Sequence, residues 1–239
     1  MPKYRRDEAV VIDIGSGNTK ACYTEAAFTS GEQMRAFELL PFGTVSLTKH
    51  VQKTMKPGES GFADFLAVLA ADVQFRIVPE LTTKKQNNPG LGNLSRVYLI
   101  GGIVYAASTL VHPERSAENW VRLSPRDFET LMNRFKRQRG FEIDLSRIPE
   151  AQTGRRDHAR KQALRVKSLF SEEQMAAGLS LLGAMTDQLR FERKALFFAS
   201  VGRDAWRAQY LVDKIAGTGL AAGHNRSLPK FSATRRMKA

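Results

Sequence analysis

Between Ala9 and Cys22 the chain reads AVVIDIGSGNTKAC, and this short stretch holds the residue types best suited to gripping an oxyanion. Gly15 and Gly17 permit close backbone approach and positive φ. Ser16, Asn18 and Thr19 add side-chain donors beside the N–H groups of the turn, which can form an anion-binding nest. Asp13 is the single acid in the apolar run that leads into the turn. Hard divalent cations prefer oxygen ligands and commonly reach phosphates with one or two carboxylates, so Asp13 is placed to hold a metal or its water. A plain β-hairpin with a Gly-rich turn accounts for the same residues. The candidate chemistry is phosphate binding with metal assistance.

Other constellations are poorer. His50, His112, His158 and His224 show neither H-x-x-x-H nor H-E-x-x-H spacing, and Asp157-His158 has no second ligand following it. Cys22 is the only cysteine, which excludes an intrachain disulfide and a thiolate-built zinc site. Its place in an apolar strand, with no histidine nearby, reads as structural. Trp206 and Tyr210, at i,i+4, read as core.

The elements that must position the turn follow from periodicity. Strands are expected at Ala9–Ile14, Thr19–Ala26, Met34–Leu40, Val97–Ile100 and Ala195–Ala199. Helical spacing predicts helices over Thr44–Lys53, Gly61–Val78 and Ile103–Leu110, and a final one over Arg203–Ile215. Ser124-Pro125 and Ser171-Glu172 read as two further helix starts, the second helix running to about Glu192. Lys84–Asn93, rich in Asn, Pro and Gly, reads as a loop. Val97–Ile100 runs directly into Gly101-Gly102. Strands at the start, middle and end, separated by helices, imply an α/β layer architecture with a central mixed sheet. Residues 1–215 form one domain, and 216–239 read as a basic disordered tail.

With 239 residues, 42% of them hydrophobic and 26% charged, the chain has the make-up of a globular protein with a sizeable core. No stretch approaches the roughly 18 apolar residues of a membrane span, and the apolar run at Ala9 is too short for a signal peptide. The expectation is a cytoplasmic protein. A net charge of +13 favours anionic partners. The excess clusters at Asn133–Arg139, at Gly154–Lys167 and beyond Ala216. Solvated helix faces account for part of it. A polyanion is the functional reading of the second cluster.

Four segments in order resemble the exopolyphosphatase/guanosine-pentaphosphate phosphatase family. Asp13-Ile14-Gly15-Ser16-Gly17-Asn18-Thr19-Lys20 is similar to that family's second phosphate loop, D-I-G-G-G-S-T-E. Leu39-Leu40-Pro41-Phe42-Gly43-Thr44-Val45-Ser46-Leu47-Thr48 follows its S-L-P-L-G-x-V-R-L-T pattern. Gly101-Gly102-Ile103-Val104-Tyr105-Ala106 resembles its G-G-T-x-x-A element, and Phe170–Leu182 its late helix. The resemblance covers roughly Ala9 to Ile215 and implies an actin-like ATPase (ribonuclease H-like) fold, here its second, C-terminal domain.

The same resemblance implies phosphate contacts from Gly15, Ser16, Gly17, Asn18, Thr19, Lys20, Gly101 and Gly102, with Asp13 as catalytic residue and Mg²⁺ ligand. Lys20 stands where the family has an acid, which implies weakened Mg²⁺ binding but a direct cationic contact to phosphate. The implied activity is release of terminal phosphate from polyphosphate or a guanosine polyphosphate. The family's first phosphate loop and its water-positioning glutamate belong to an N-terminal domain with no counterpart in these segments. The expectation is therefore a hydrolase domain impaired as a single chain, completed by a complementary chain or by homodimerisation. The alternative is a non-catalytic binder of polyphosphate or phosphorylated nucleotides. Nucleic-acid binding through the basic segments lacks any basic-aromatic interleaving to support it.

Overall fold

Alternation along the first strand sets the inside and outside of the sheet. In β1 (Ala9–Ile14), Val10, Ile12 and Ile14 are buried, whereas Val11 is 36% exposed and Asp13 only half-buried. The computed structural model describes residues 8–27 and 31–200. β1 pairs antiparallel with β2 (Thr19–Ala27), which pairs antiparallel with β3 (Gly31–Leu40). On its other side β1 runs parallel to β4 (Arg96–Ile100), and β4 parallel to β6 (Ala195–Ala199). A short edge strand, β5 (Trp120–Leu123), lies antiparallel to β6. The sheet order is β3-β2-β1-β4-β6-β5.

The crossovers β1→β4 and β4→β6 proceed in the same direction, so right-handed connections put their helices on one face of the sheet. The first contains α1 (Thr44–Thr54), α2 (Phe62–Asp72), a π-helical turn (Val73–Ile77), α3 (Val78–Asn87) and α4 (Pro89–Asn93). The second contains α5 (Gly102–Val111), α6 (Pro125–Lys136), α7 (Thr153–Leu169) and α8 (Glu172–Leu189). α8 is the central helix, with eleven buried residues. The Ser171 hydroxyl accepts from Gln174 N at 3.2 Å, and Gln174 Oε1 accepts from Ser171 N at 3.1 Å, a reciprocal cap of its first turn. Gly178 lets α8 lie against Ile103 of α5, where an added Cβ would stand 2.7 Å from Ile103 Cδ1.

The five expected strands are present within a few residues of their predicted ends, and together with the flanking helices they make the α/β mixed sheet read from the sequence. Four features differ from that reading. The helix predicted over Gly61–Val78 divides at the π-helical turn, and helix continues through the segment read as a loop. Asn88 caps α3 by donating to the Lys84 carbonyl at 2.8 Å, and the fully buried Leu91 anchors α4. β5 has only four residues, too few for an alternation to declare itself. α7 was hidden within a basic cluster, because only Ala159, Ala163 and Val166 of its seventeen residues are buried. The final helix expected at Arg203–Ile215 and the tail after Ala216 lie outside the described residues. No helix among the described residues is long and apolar enough to cross a membrane.

Candidate functional site

The Gly-rich turn joins β1 to β2 at the C-terminal end of β1. Its base is closed by Gly15 N donating to the Asn18 carbonyl at 3.0 Å. Beside it the β2–β3 register shifts between Thr19 and Lys20, with Thr19 opposite Leu40 and Lys20 opposite Glu38. This bulge tightens the twist at the base of the turn.

The start of α1 holds the turn from outside. Thr44 N donates to the Gly15 carbonyl, and Val45 N and Ser46 N both donate to the Ser16 carbonyl, each at 3.0 Å. The Ser46 hydroxyl donates to the Gly17 carbonyl at 2.7 Å and accepts from Gly43 N at 2.9 Å. Three successive carbonyls of the turn are thus turned toward α1. The N–H groups of Ser16, Gly17 and Asn18 have no acceptor among the described residues. Such a row of free donors in a tight turn is a concavity suited to an anion.

Close approach of α1 to the turn depends on Gly43. A Cβ there would stand 2.8 Å from Ser16 C and 2.9 Å from Asn18 N, and would overlap the Gly15 carbonyl oxygen. Gly101, at φ 112°, does the same on the other side: a Cβ there would overlap the Ile14 carbonyl oxygen. α5 therefore begins beside the end of β1, and its first free N–H groups add a second donor set at the same edge of the sheet. Gly102 is exposed and lies against Phe170, whose Cζ would be 3.1 Å from a Cβ.

The side chains divide into two groups. Thr19 is fully buried and donates to the Phe42 carbonyl at 2.9 Å, and the Asn18 amide donates to Glu38 Oε2 at 2.7 Å. Both are engaged within the protein. Ser16, Gly17 and Lys20 are exposed. Asp13 and Lys20 are paired directly across β1 and β2, so their side chains leave the same face. Neither has an ion-pair or hydrogen-bond partner among the described residues. Cys22, half-buried in β2, has its thiol pKa pushed up by burial, which keeps it protonated.

The expected site residues Asp13, Gly15–Lys20 and Gly101 thus come together around one strand end, with Gly102 beside them. Gly43, Ser46 and Phe42 were not singled out as site residues. Phe42 is buttressed by Arg76, whose guanidinium lies 5.4 Å from the ring centroid and whose Nη1 is 2.6 Å from His50 Nε2. The signal for Gly43 was a glycine set between a strand-ending proline and a helix start.

For Mg²⁺, the donor set is one half-buried carboxylate with no protein partner, and no group of three His, Cys, Asp or Glu side chains is arranged for a metal among the described residues. That set suits a cation held jointly by Asp13 and by phosphate oxygens, the usual manner for Mg²⁺.

No protein-family model matches the chain, and neither does any curated protein. Solved structures do. A crystal structure of the Aquifex aeolicus member of the Ppx/GppA family aligns with TM-score 0.50 and 17% identity, covering 89% of this chain and 57% of that one. An exopolyphosphatase-like protein aligns with TM-score 0.49 and 14% identity over 80% and 53% of the two chains. A second Aquifex aeolicus Ppx/GppA structure gives TM-score 0.46, 18% identity and coverage of 80% and 52%. The chain has the α/β fold of the Aquifex aeolicus Ppx/GppA structure that aligns over 89% of it, and it spans a little over half the length of these solved structures.

Proposed function

We propose that this chain is a phosphoanhydride hydrolase domain that binds the terminal phosphate of polyphosphate or a guanosine polyphosphate. The observation that carries this reading is the row of free N–H groups at Ser16, Gly17 and Asn18, held open by α1 next to the unpartnered Asp13. Phosphoryl transfer needs little covalent chemistry from a protein; positioning and charge stabilisation dominate. The turn amides hold the phosphate oxygens, the start of α5 faces them across the strand end, and Lys20 supplies a point charge. Asp13 would hold Mg²⁺, which when bound neutralises charge developing on the phosphate oxygens.

Turnover by the single chain is slow in this reading, for two reasons. Lys20 shares a face with Asp13 and repels a second cation there. The group that activates the attacking water is supplied by a second domain. A phosphate-release assay with Mg²⁺ and polyphosphate tests the proposal. Weak release that Asp13→Asn abolishes is expected, with phosphate binding retained by that variant. Absence of both binding and release refutes it.

A further inference from the structure

A second basic site lies at the far end of α5. There a cavity of about 570 Å³ opens between the last turn of α5 and the chain that follows α6. Four arginines line it, Arg134, Arg137, Arg139 and Arg147, against two acids, Glu142 and Asp144. Leu110, also in its wall, is eight residues beyond Gly102, which at 1.5 Å per residue places it about 12 Å along the helix from the end that lies beside the phosphate turn. This site is therefore independent of the turn.

The charges are held there by local structure. Gln138 adopts φ 59°, the left-handed region that non-glycine residues rarely occupy, and reverses the chain after α6 so that Arg137 and Arg139 flank the bend. Arg134 is half-buried. Its guanidinium donates to the Leu110 carbonyl at 3.0 Å and the Gly140 carbonyl at 3.3 Å, and has no carboxylate partner among the described residues. Burial pushes its pKa down, which marks a cation short of compensating charge. Arg139 pairs with Glu142 at 2.6 Å, and Arg147 lies 3.6 Å from Glu114. Arg137 has no partner among the described residues. Asp144 Oδ1 already accepts from Ser146 N at 2.8 Å.

We infer that this cavity is a binding site for a small anion bearing two or three linked phosphates. Guanidinium forks match phosphate oxygens two at a time, and Arg134, fixed by two backbone carbonyls, is pre-organised to do so. The excess of arginines over acids leaves positive charge for the ligand to neutralise. The volume falls in the range of small-molecule pockets and exceeds what one orthophosphate fills.

Calorimetric titration of inorganic tripolyphosphate into the full chain tests this, at about 0.15 M ionic strength to screen diffuse attraction. The wild type should bind more than one equivalent. Arg137→Gln/Arg147→Gln should lose one binding phase, with at least a tenfold weakening, while Lys20→Gln at the turn leaves that phase intact. Lys161→Gln/Arg165→Gln, on the exposed side of α7, is the charge-matched control. Equal weakening in that control means general electrostatics and overturns the proposal. So does unchanged binding in the arginine variant, or one phase that only Lys20→Gln removes. Should the double variant unfold, Arg137→Gln alone serves, since it breaks no contact.

Discussion

Gly43 rests against Gly15 so closely that a methyl group on Gly43 would overlap the Gly15 carbonyl oxygen. That contact lets α1 take the carbonyls of the turn, while the N–H groups of Ser16, Gly17 and Asn18 keep no acceptor among the described residues. Gly43→Ala should therefore act at two levels. It should destabilise the fold by about 1–3 kcal/mol, the usual range for overpacking a filled site. It should also weaken tripolyphosphate binding beyond what lost stability explains. Urea denaturation and calorimetry on the same variant check both. A stable variant with normal binding would show that the close approach is incidental.

The Ser46 hydroxyl ties the Gly17 carbonyl to the Gly43 N–H. Ser46→Ala should cost about 1 kcal/mol, the net worth of a typical hydrogen bond. Anion affinity should fall further than in Thr54→Ala, whose hydroxyl makes only a bond to His50 O within α1. Thermal denaturation and calorimetry of the two variants separate these effects.

A pH-dependent stability term is built in far from the turn. His112 stands between two carboxylates, Nδ1 3.3 Å from Glu114 Oε1 and Nε2 3.3 Å from Asp127 Oδ2. Interaction with Asp127 raises the His112 pKa against the opposing effect of burial, and Glu114 adds to the rise. For Asp127, burial pushes the pKa up, but the adjacent His112 and the hydrogen bond from Ser124 N outweigh it and hold the value below its ordinary one. The His112 contribution is complete below its unfolded pKa, about 6.5, and disappears as pH rises through the higher folded value. The Asp127 contribution is complete above its unfolded pKa, about 3.9, and disappears as pH falls through the lower folded value. Midpoints of urea unfolding measured from pH 5 to 8 should thus decline more steeply in the wild type than in His112→Gln. Parallel profiles would remove His112 as the cause.

Lys20 and Asp13 face the same side of the hairpin in direct register. A Lys20 charge a few ångströms from a bound Mg²⁺ interacts unfavourably by roughly kilocalories per mole at intermediate effective dielectric. Lys20→Gln should therefore tighten Mg²⁺ binding in the presence of polyphosphate and raise phosphate release. Lys20→Glu would add a second carboxylate opposite Glu38, a like-charge pair that costs some stability. Calorimetric Mg²⁺ affinity for wild type and Lys20→Gln decides the point, and equal affinities contradict it.

The sequence made much of the sheet legible because β1, β4 and β6 are strongly apolar and three strands run into glycine or proline: Ile14 before Gly15, Leu40 before Pro41, Ile100 before Gly101. The helices of the core declared themselves by buried stripes such as Phe128, Leu131 and Phe135. What stayed hidden lacked such stripes. In α7, Arg155 donates to the Glu114 carbonyl at 2.7 Å and Arg156 to the Ile148 carbonyl at 3.2 Å. Side chains that read as a polyanion surface thus help to fasten a helix. Within the site, residue types announced a phosphate turn but not the direction of its peptide groups. That direction depends on Thr44, Val45 and Ser46, whose amides select the turn's carbonyls from about thirty residues away in the chain.

In the proposed function, the free amides of Ser16, Gly17 and Asn18 bind phosphate. Two-dimensional ¹⁵N NMR of the chain titrated with inorganic tripolyphosphate tests it most directly. Saturable shifts at those three amides are expected, and Gly43→Ala should diminish them. Saturation that leaves all three amides unmoved would contradict the account, whatever moves elsewhere in the protein.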